Sequence, residues 1–177
     1  MLLSKSQITR EHLREYLDYN PDTGHLTWIK KLSRKVVVGS RAGCLVRNRD
    51  SRIIKIFGEV YAEHRIIWLY VTGYYPQRHE HIDHIDHRED NNSWSNLRLV
   101  SQAENNKNLS RRSTNTLGCT GVWISKVNGN KKFIAEITSG EVKRRASFYT
   151  QEEAVAQRKQ WERELGFHTN HGIVKPI

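Results

Sequence analysis

The middle of the chain gathers residue types that can hydrolyse a phosphodiester. They run His81-Ile-Asp83-His84-Ile-Asp86-His87, then Asn91-Asn92, then Asn96-Leu97-Arg98, then Ser101-x-x-Glu104-Asn105-Asn106. A divalent cation asks for hard oxygen donors. The Asp83 carboxylate and the Asn105 side-chain oxygen would supply two, leaving places for water and phosphate oxygens. His84 follows Asp83, so on a strand or bulge it projects to the other face. Its imidazole can take a proton from water near neutral pH. The cation would offset charge on the phosphate and on the departing 3′ oxygen. Asn96, at the end of the intervening loop, could hydrogen-bond across it and fix the imidazole's position.

The neighbouring histidines read differently. His79, His81 and His87 suit solvent or phosphate contact. A zinc site from His79, His81, His84 and His87 would need a tetrahedral closure that neighbours on one strand do not offer. His64 reads as a packing residue or a hydrogen-bond partner behind the site. Asn91 and Asn92 read equally as turn residues and as functional ones.

Residues of these types must be held by a scaffold, and the pattern around them supplies one. Ile82-Asp83-His84-Ile85 and Leu97-Arg98-Leu99-Val100 alternate as strands do, with a loop of about ten residues between them. Ser101-x-x-Glu104 is a capping box that puts Asn105 in the first turn of a helix. The unit is therefore strand, loop, strand, helix (ββα). Upstream, a helical pattern around Ile8, Leu13, Tyr16 and Leu17 has Thr9 as its cap. The turn Asn20-Pro21-Asp22-Thr23-Gly24 leads into a strand over His25–Ile29. Between Lys30 and Lys55 nine Lys or Arg face one acid, Asp50. Ile53, Ile54, Ile56 and Val60 interleave with them around a Gly58-Glu59 turn, which predicts a short basic sheet. A helix over Glu63–Val71 ends before Gly73 and Pro76.

Downstream, Trp123-Ile124, Phe133–Thr138 and Arg144–Tyr149 read as strands, with turns at Asn128-Gly129-Asn130 and Ser139-Gly140. Thr150-x-x-Glu153 caps a final helix with Ala154, Trp161 and Leu165 on one face and Gly166 at its end. The expected class is α+β. The expected layout is a nuclease domain over residues 1–110, with its basic β-rich part at about 1–62 and its ββα core at about 78–110. A basic linker at 111–116, a DNA-binding domain at 117–167 and a tail at 168–177 would follow.

Composition narrows the partners. Lys and Arg number 29 against 19 Asp and Glu, a net charge of +10. Nucleic acid, a membrane surface or an acidic protein would answer that charge. No apolar run approaches the length of a transmembrane helix, and the first residues lack the apolar core of a signal peptide. Cys44 and Cys119 stand far apart, outside any metal-ligand spacing, and read as reduced, partly buried thiols of a cytoplasmic protein.

Several spaced elements together resemble the HNH (ββα-metal) nucleases, and in particular phage-type homing endonucleases. They are Tyr61-Ala-Glu-His64-Arg65-Ile-Ile-Trp68, Gly73-Tyr-Tyr-Pro76, Ile82-Asp83-His84-Ile85-Asp86, Asn92-x-x-x-Asn96-Leu97-Arg98 and Glu104-Asn105. Asn96 stands 13 residues and Asn105 stands 22 residues after Asp83, as in that family. The resemblance implies Asp83 and Asn105 as metal ligands, His84 as general base and Asn96 as a structural residue. It implies a divalent ion, Mg²⁺ with Mn²⁺ as substitute, and no small-molecule cofactor. The chain departs from the family where His81 and His87 crowd the motif and Asn106 and Asn108 neighbour Asn105.

Gly118-Cys-Thr-Gly121-Val122-Trp123, Phe133-x-Ala135-x-Ile137 and Phe148-x-Thr150-x-Glu152-Glu153-Ala154 resemble a second family, the plant APETALA-two/ethylene-response DNA-binding domain. That implies a sheet set in the major groove, with Trp123, Lys126, Lys132, Arg144 and Arg145 touching DNA. Arg can pair bidentately with guanine, and Lys mostly meets phosphate. Against this, Trp123 could fill the core and Lys131-Lys132 could be a solvated turn. Arg47, Arg49 and Arg52 of the basic sheet are further candidates for DNA contact. The expected protein is a metal-dependent endonuclease on double-stranded DNA, a monomer or weak dimer in a bacterial host's cytoplasm. A non-catalytic DNA-binding protein on a degenerate HNH scaffold and an RNA-directed module are the competing readings.

Overall fold

The computed structural model describes residues 8–127 and 130–174. Its elements mix helices with small antiparallel sheets, an α+β arrangement. They fall into two compact units, the first ending at Ser101 and the second beginning at Gln102.

In the first unit, Thr9 starts α1 (Arg10–Tyr16) by accepting a hydrogen bond from the His12 amide. The helix pattern was expected to take in Leu17, but the chain turns extended there. Leu17–Asn20 forms β1, paired antiparallel with β2 (His25–Trp28), so that Leu17, Tyr19, Leu26 and Trp28 are buried on one side. Asn20 Oδ1 accepts from the amides of Asp22 and Thr23 and sets the turn. The basic segment becomes a three-stranded sheet of β3 (Cys44–Leu45), β4 (Arg52–Ile56) and β5 (Glu59–Ala62). Cys44 is exposed rather than partly buried, because β3 is a short edge strand.

Helix α2 (Glu63–Thr72) follows directly and stops at Gly73, whose left-handed φ of 77° closes the last turn onto Leu69. Ile66, Ile67 and Leu69 bury one face of it against Leu13, Leu17, Leu26, Ile54 and Ile56. Each fully buried Leu or Ile of this kind contributes about 1.5–3 kcal/mol. The antiparallel pair β6 (Glu80–His84) and β7 (Leu97–Ser101) completes the unit, with Ile82 and Leu97 turned into the same core.

The second unit opens with α3 (Gln102–Asn106). It continues through a sheet ordered β10-β9-β8, made of β8 (Val122–Val127), β9 (Asn130–Ser139) and β10 (Val142–Phe148). The turn expected at Asn128-Gly129 lies outside the described residues. Helix α4 (Gln151–Glu164) starts at the Thr150/Glu153 capping box and buries Ala154 and Trp161 against Val122, Ala135 and Ile137.

Arg111, expected to open a basic linker, and the residues just before it are hydrogen-bonded to residues 168–173. The His168 amide donates to Lys107 O at 3.0 Å, the Gly172 amide to Leu109 O at 2.9 Å and the Arg111 amide to Ile173 O at 2.9 Å. Residues 168–173 are thus part of the unit, and Asn108, between two of the bonded residues, is buried.

Candidate active site

Asp83 and His84 end β6, one face each, and both are 9% exposed. The register sets Asp83 opposite Arg98 and His84 opposite Leu97. Arg98 donates from Nε at 2.9 Å and from its terminal nitrogen at 2.7 Å, both to Asp83 Oδ2. A carboxylate this far from solvent needs such a partner, and the guanidinium fixes its direction as well as its charge.

His84 is held by a different set. Its Nε2 lies 2.9 Å from Asn92 Oδ1, and Asn92 Nδ2 donates to Glu63 Oε2 at 2.9 Å. Arg41 approaches the same Glu63 oxygen at 3.5 Å. Burial pushes the Glu63 carboxyl above its usual range, although the charges of Arg41 and Arg52 pull the other way. On the imidazole's flank, the His64 ring meets His84 edge to face, with centroids 5.4 Å apart. Burial, with the nearby His84, pushes His64 down to about 4, so it stays neutral at physiological pH.

Asn96 braces the loop. Its Oδ1 accepts from the Asp86 amide at 3.0 Å, and its Nδ2 donates to Asp86 Oδ1 and Asn91 O, each at 2.8 Å. Asn91 donates to the other Asp86 oxygen at 2.7 Å. Burial would raise the Asp86 carboxyl, but these bonds and the Arg88 amide outweigh it and hold the group low. Asn96 thus bonds across the loop, and the direct contact to the imidazole comes from Asn92. The sequence reads Asn92 equally as a turn residue and as a functional one, because its partner Glu63 lies 29 residues earlier. His87, expected in solvent, is buried at the loop's start with a φ of 65°. His79 is exposed.

Tyr19 of β1 anchors the loop, its hydroxyl donating to Asn92 O at 2.8 Å. Burial, then the charge of Glu63, pushes this phenol from 10 up to about 12. A raised folded-state value stabilises the native chain fully below the unfolded value, and that contribution is lost as pH climbs through the folded one. Relative to Tyr19→Phe, the native chain should therefore lose on the order of 2 kcal/mol between about pH 10 and pH 12. Urea midpoints of both chains across that range check it, and parallel curves would refute it.

Asn105 lies half-buried in α3, the element that follows β7 along the chain. Among the described residues no three His, Cys, Asp or Glu gather to hold a metal. A closed soft-ligand site is not built from such groups there. Asp83 offers a hard oxygen whose direction Arg98 fixes, which suits a cation carried on few protein ligands, water and phosphate. Asp86 and Glu63 already have their carboxylates engaged in the loop and under Asn92.

In the second unit, Val122, Ala135 and Ile137 face α4, while Trp123, Lys132 and Arg145 stand on the opposite sheet face. Trp123 is exposed, so it does not fill the core, and the Arg145 guanidinium lies 5.5 Å from its ring centre. Lys132 sits over Tyr149. Arg144 alternates to the helix side and pairs with Glu164 of α4. Lys126 is exposed near the strand end, opposite Lys131. In the first unit Arg47 and Arg49 are exposed between β3 and β4, whereas Arg52 turns back to donate to Gly43 O at 3.0 Å.

Residues 61–107 match the family model described as HNH endonuclease. The match begins in β5 and runs through α2, β6 and β7 past α3. It supports a nuclease-type, DNA-cleaving function with DNA as substrate, and HNH nucleases generally use a divalent metal. No curated protein and no solved structure matches the chain. Among the described residues no helix is long and apolar enough to cross a membrane.

Proposed function

We propose that the chain is a metal-dependent endonuclease of double-stranded DNA, cutting at a preferred sequence, of the kind phages carry as homing endonucleases. The observation that carries this reading is the Asp83–His84 pair at the end of β6, each side chain held by its own partner, inside the HNH match. His84 is the general base that takes a proton from the attacking water. Asp83 and Asn105 are the metal ligands, for Mg²⁺ with Mn²⁺ as substitute, and Asn96 keeps the loop in shape. When bound, the cation supplies positive charge to the scissile phosphate and the departing oxygen. Arg98 aims the Asp83 carboxylate.

The outer sheet face of the second unit, with Trp123, Lys132 and Arg145, is read as a DNA-binding surface like that of the APETALA-two domain. Lys126, Arg47 and Arg49 add exposed positive charge. Arg144 and Arg52 belong to the same set, each also holding one partner within the fold, Glu164 and the Gly43 carbonyl oxygen. Arg145→Ala is expected to weaken duplex binding and, if the guanidinium meets a phosphate, to lower the slope of log affinity against log salt by about 1. Gel-shift titrations over a series of salt concentrations read both quantities. Unchanged affinity would remove this face from the DNA contact.

One catalytic unit in a single chain predicts nicking by a monomer. Purified protein incubated with supercoiled plasmid and DNA of a bacterial host, with Mg²⁺ or with EDTA, tests the whole reading. Nicked product that requires the metal is expected. Salt-sensitive binding with no cleavage in either buffer would replace the enzyme by a DNA-binding protein.

A further inference from the structure

We propose that Glu63 and Asn92 are positioning residues that set the tautomer of the His84 imidazole. The proposal rests on the reading of His84 as the base, and it names how that base is prepared. Glu63 and Asn92 are each 1% exposed, so neither can exchange its partner for water. A side-chain amide has one accepting end and one donating end, and which end points where must follow from its neighbours. Arg41 can only donate, and it lies 3.5 Å from Glu63 Oε2. That oxygen is therefore an acceptor, and it takes the donating end of Asn92 at 2.9 Å. The accepting end of Asn92 is left facing His84 Nε2 at 2.9 Å. Nε2 must then carry the ring proton, which puts the lone pair on Nδ1, the atom that takes the proton from water.

The string runs one way, from Glu63 beside the Arg41 charge through Asn92 to His84, and reversing the Asn92 amide would set its oxygen against Glu63 Oε2. The backbone of Asn92 is fixed independently. Tyr19 donates to its carbonyl oxygen, and Gly24 packs where a Cβ would stand 2.2 Å from its carbonyl carbon. Asn96, by contrast, bonds to the loop and not to the ring. The two asparagines thus have separate jobs, one shaping the loop and the other orienting the base.

The test begins with the full-length wild-type chain labelled with ¹⁵N. Long-range proton–nitrogen correlations of its histidine rings are recorded, and His84 is assigned by its absence in His84→Gln. The expected result is a proton on Nε2. In Asn92→Leu, which keeps the bulk but removes the acceptor, both tautomers should appear. Its kcat for plasmid should fall about 10–100-fold, the scale of losing a partner that orients a functional imidazole, with KM unchanged. Glu63→Gln keeps the shape and serves as the second variant if Asn92→Leu does not fold; a smaller shift in the same direction is expected.

A wild-type proton on Nδ1 would overturn the proposal, as would a single unaltered tautomer in folded Asn92→Leu. Wild-type cleavage that depends on His84 but keeps its kcat in both variants would sink the positioning role and leave the nuclease standing. An Nε2 proton released in the variants, in a protein that cuts no DNA, would uphold the positioning pair while the nuclease reading falls.

Discussion

Replacing His84 with alanine should lower the single-turnover rate of plasmid cleavage by about 10²–10⁴-fold, the usual contribution of a positioned base. Duplex affinity should stay close to that of the wild type, because His84 is buried beside Asn92 and His64 and offers little surface to a ligand. Loss of the ring also leaves Asn92 Oδ1 without its partner, which costs about 1–3 kcal/mol of stability. Thermal unfolding must therefore accompany the rate, and His84→Gln, which can still donate to Asn92, separates chemistry from folding. A cleavage rate within a few-fold of wild type in a folded His84→Ala protein would end the assignment of His84 as the base.

Gly24→Ala should damage both the stability and the activity of this chain. Gly24 has a φ of 72°, where side-chain-bearing residues are rare, and its missing Cβ would stand 2.2 Å from Asn92 C and 2.3 Å from Ser93 N. Left-handed strain costs about 1–3 kcal/mol, and overpacking against backbone adds about as much again. The expected loss is on the order of 3 kcal/mol or more. Because the methyl displaces the backbone of Asn92, kcat should fall even under conditions where the variant is still folded. Denaturant unfolding and cleavage at low temperature read the two effects, and a fully stable, fully active Gly24→Ala protein would show that the turn yields without moving the loop.

What the sequence made legible was what depends on near neighbours. The Thr150-x-x-Glu153 box predicts the start of α4, because both bonds span three residues. Gly73 marks the end of α2 through its own conformation. The alternation of Ile82 with Asp83 and His84, and of Leu97 with Arg98, predicts the β6–β7 pair and puts Asp83 and His84 side by side. Strand β1 was hidden, because Leu17 continues the apolar spacing of α1 and only the pairing with β2 pulls it straight. The role of Asn92 was hidden for a related reason: its meaning comes from Glu63 and Tyr19, which are close in space and distant in sequence. Arg144 and Arg145 look alike as text, and strand alternation sends one to Glu164 and the other to Trp123. The stretch at 111–116 reads as a basic linker by its composition, and the bond of the Arg111 amide to Ile173 O could not be read from polarity.

The exposed edge strand β3 has a practical consequence for anyone handling this protein. Its Cys44 is open to solvent and free, whereas burial encloses Cys119 and pushes that thiol up, away from the reactive thiolate. A maleimide dye or spin label should therefore attach at one place without any engineered substitution. The label would sit on the basic sheet of the first unit, where its signal could report the arrival of DNA. The same openness means that air oxidation during storage can join two chains through Cys44, so a reductant belongs in every measurement of oligomeric state.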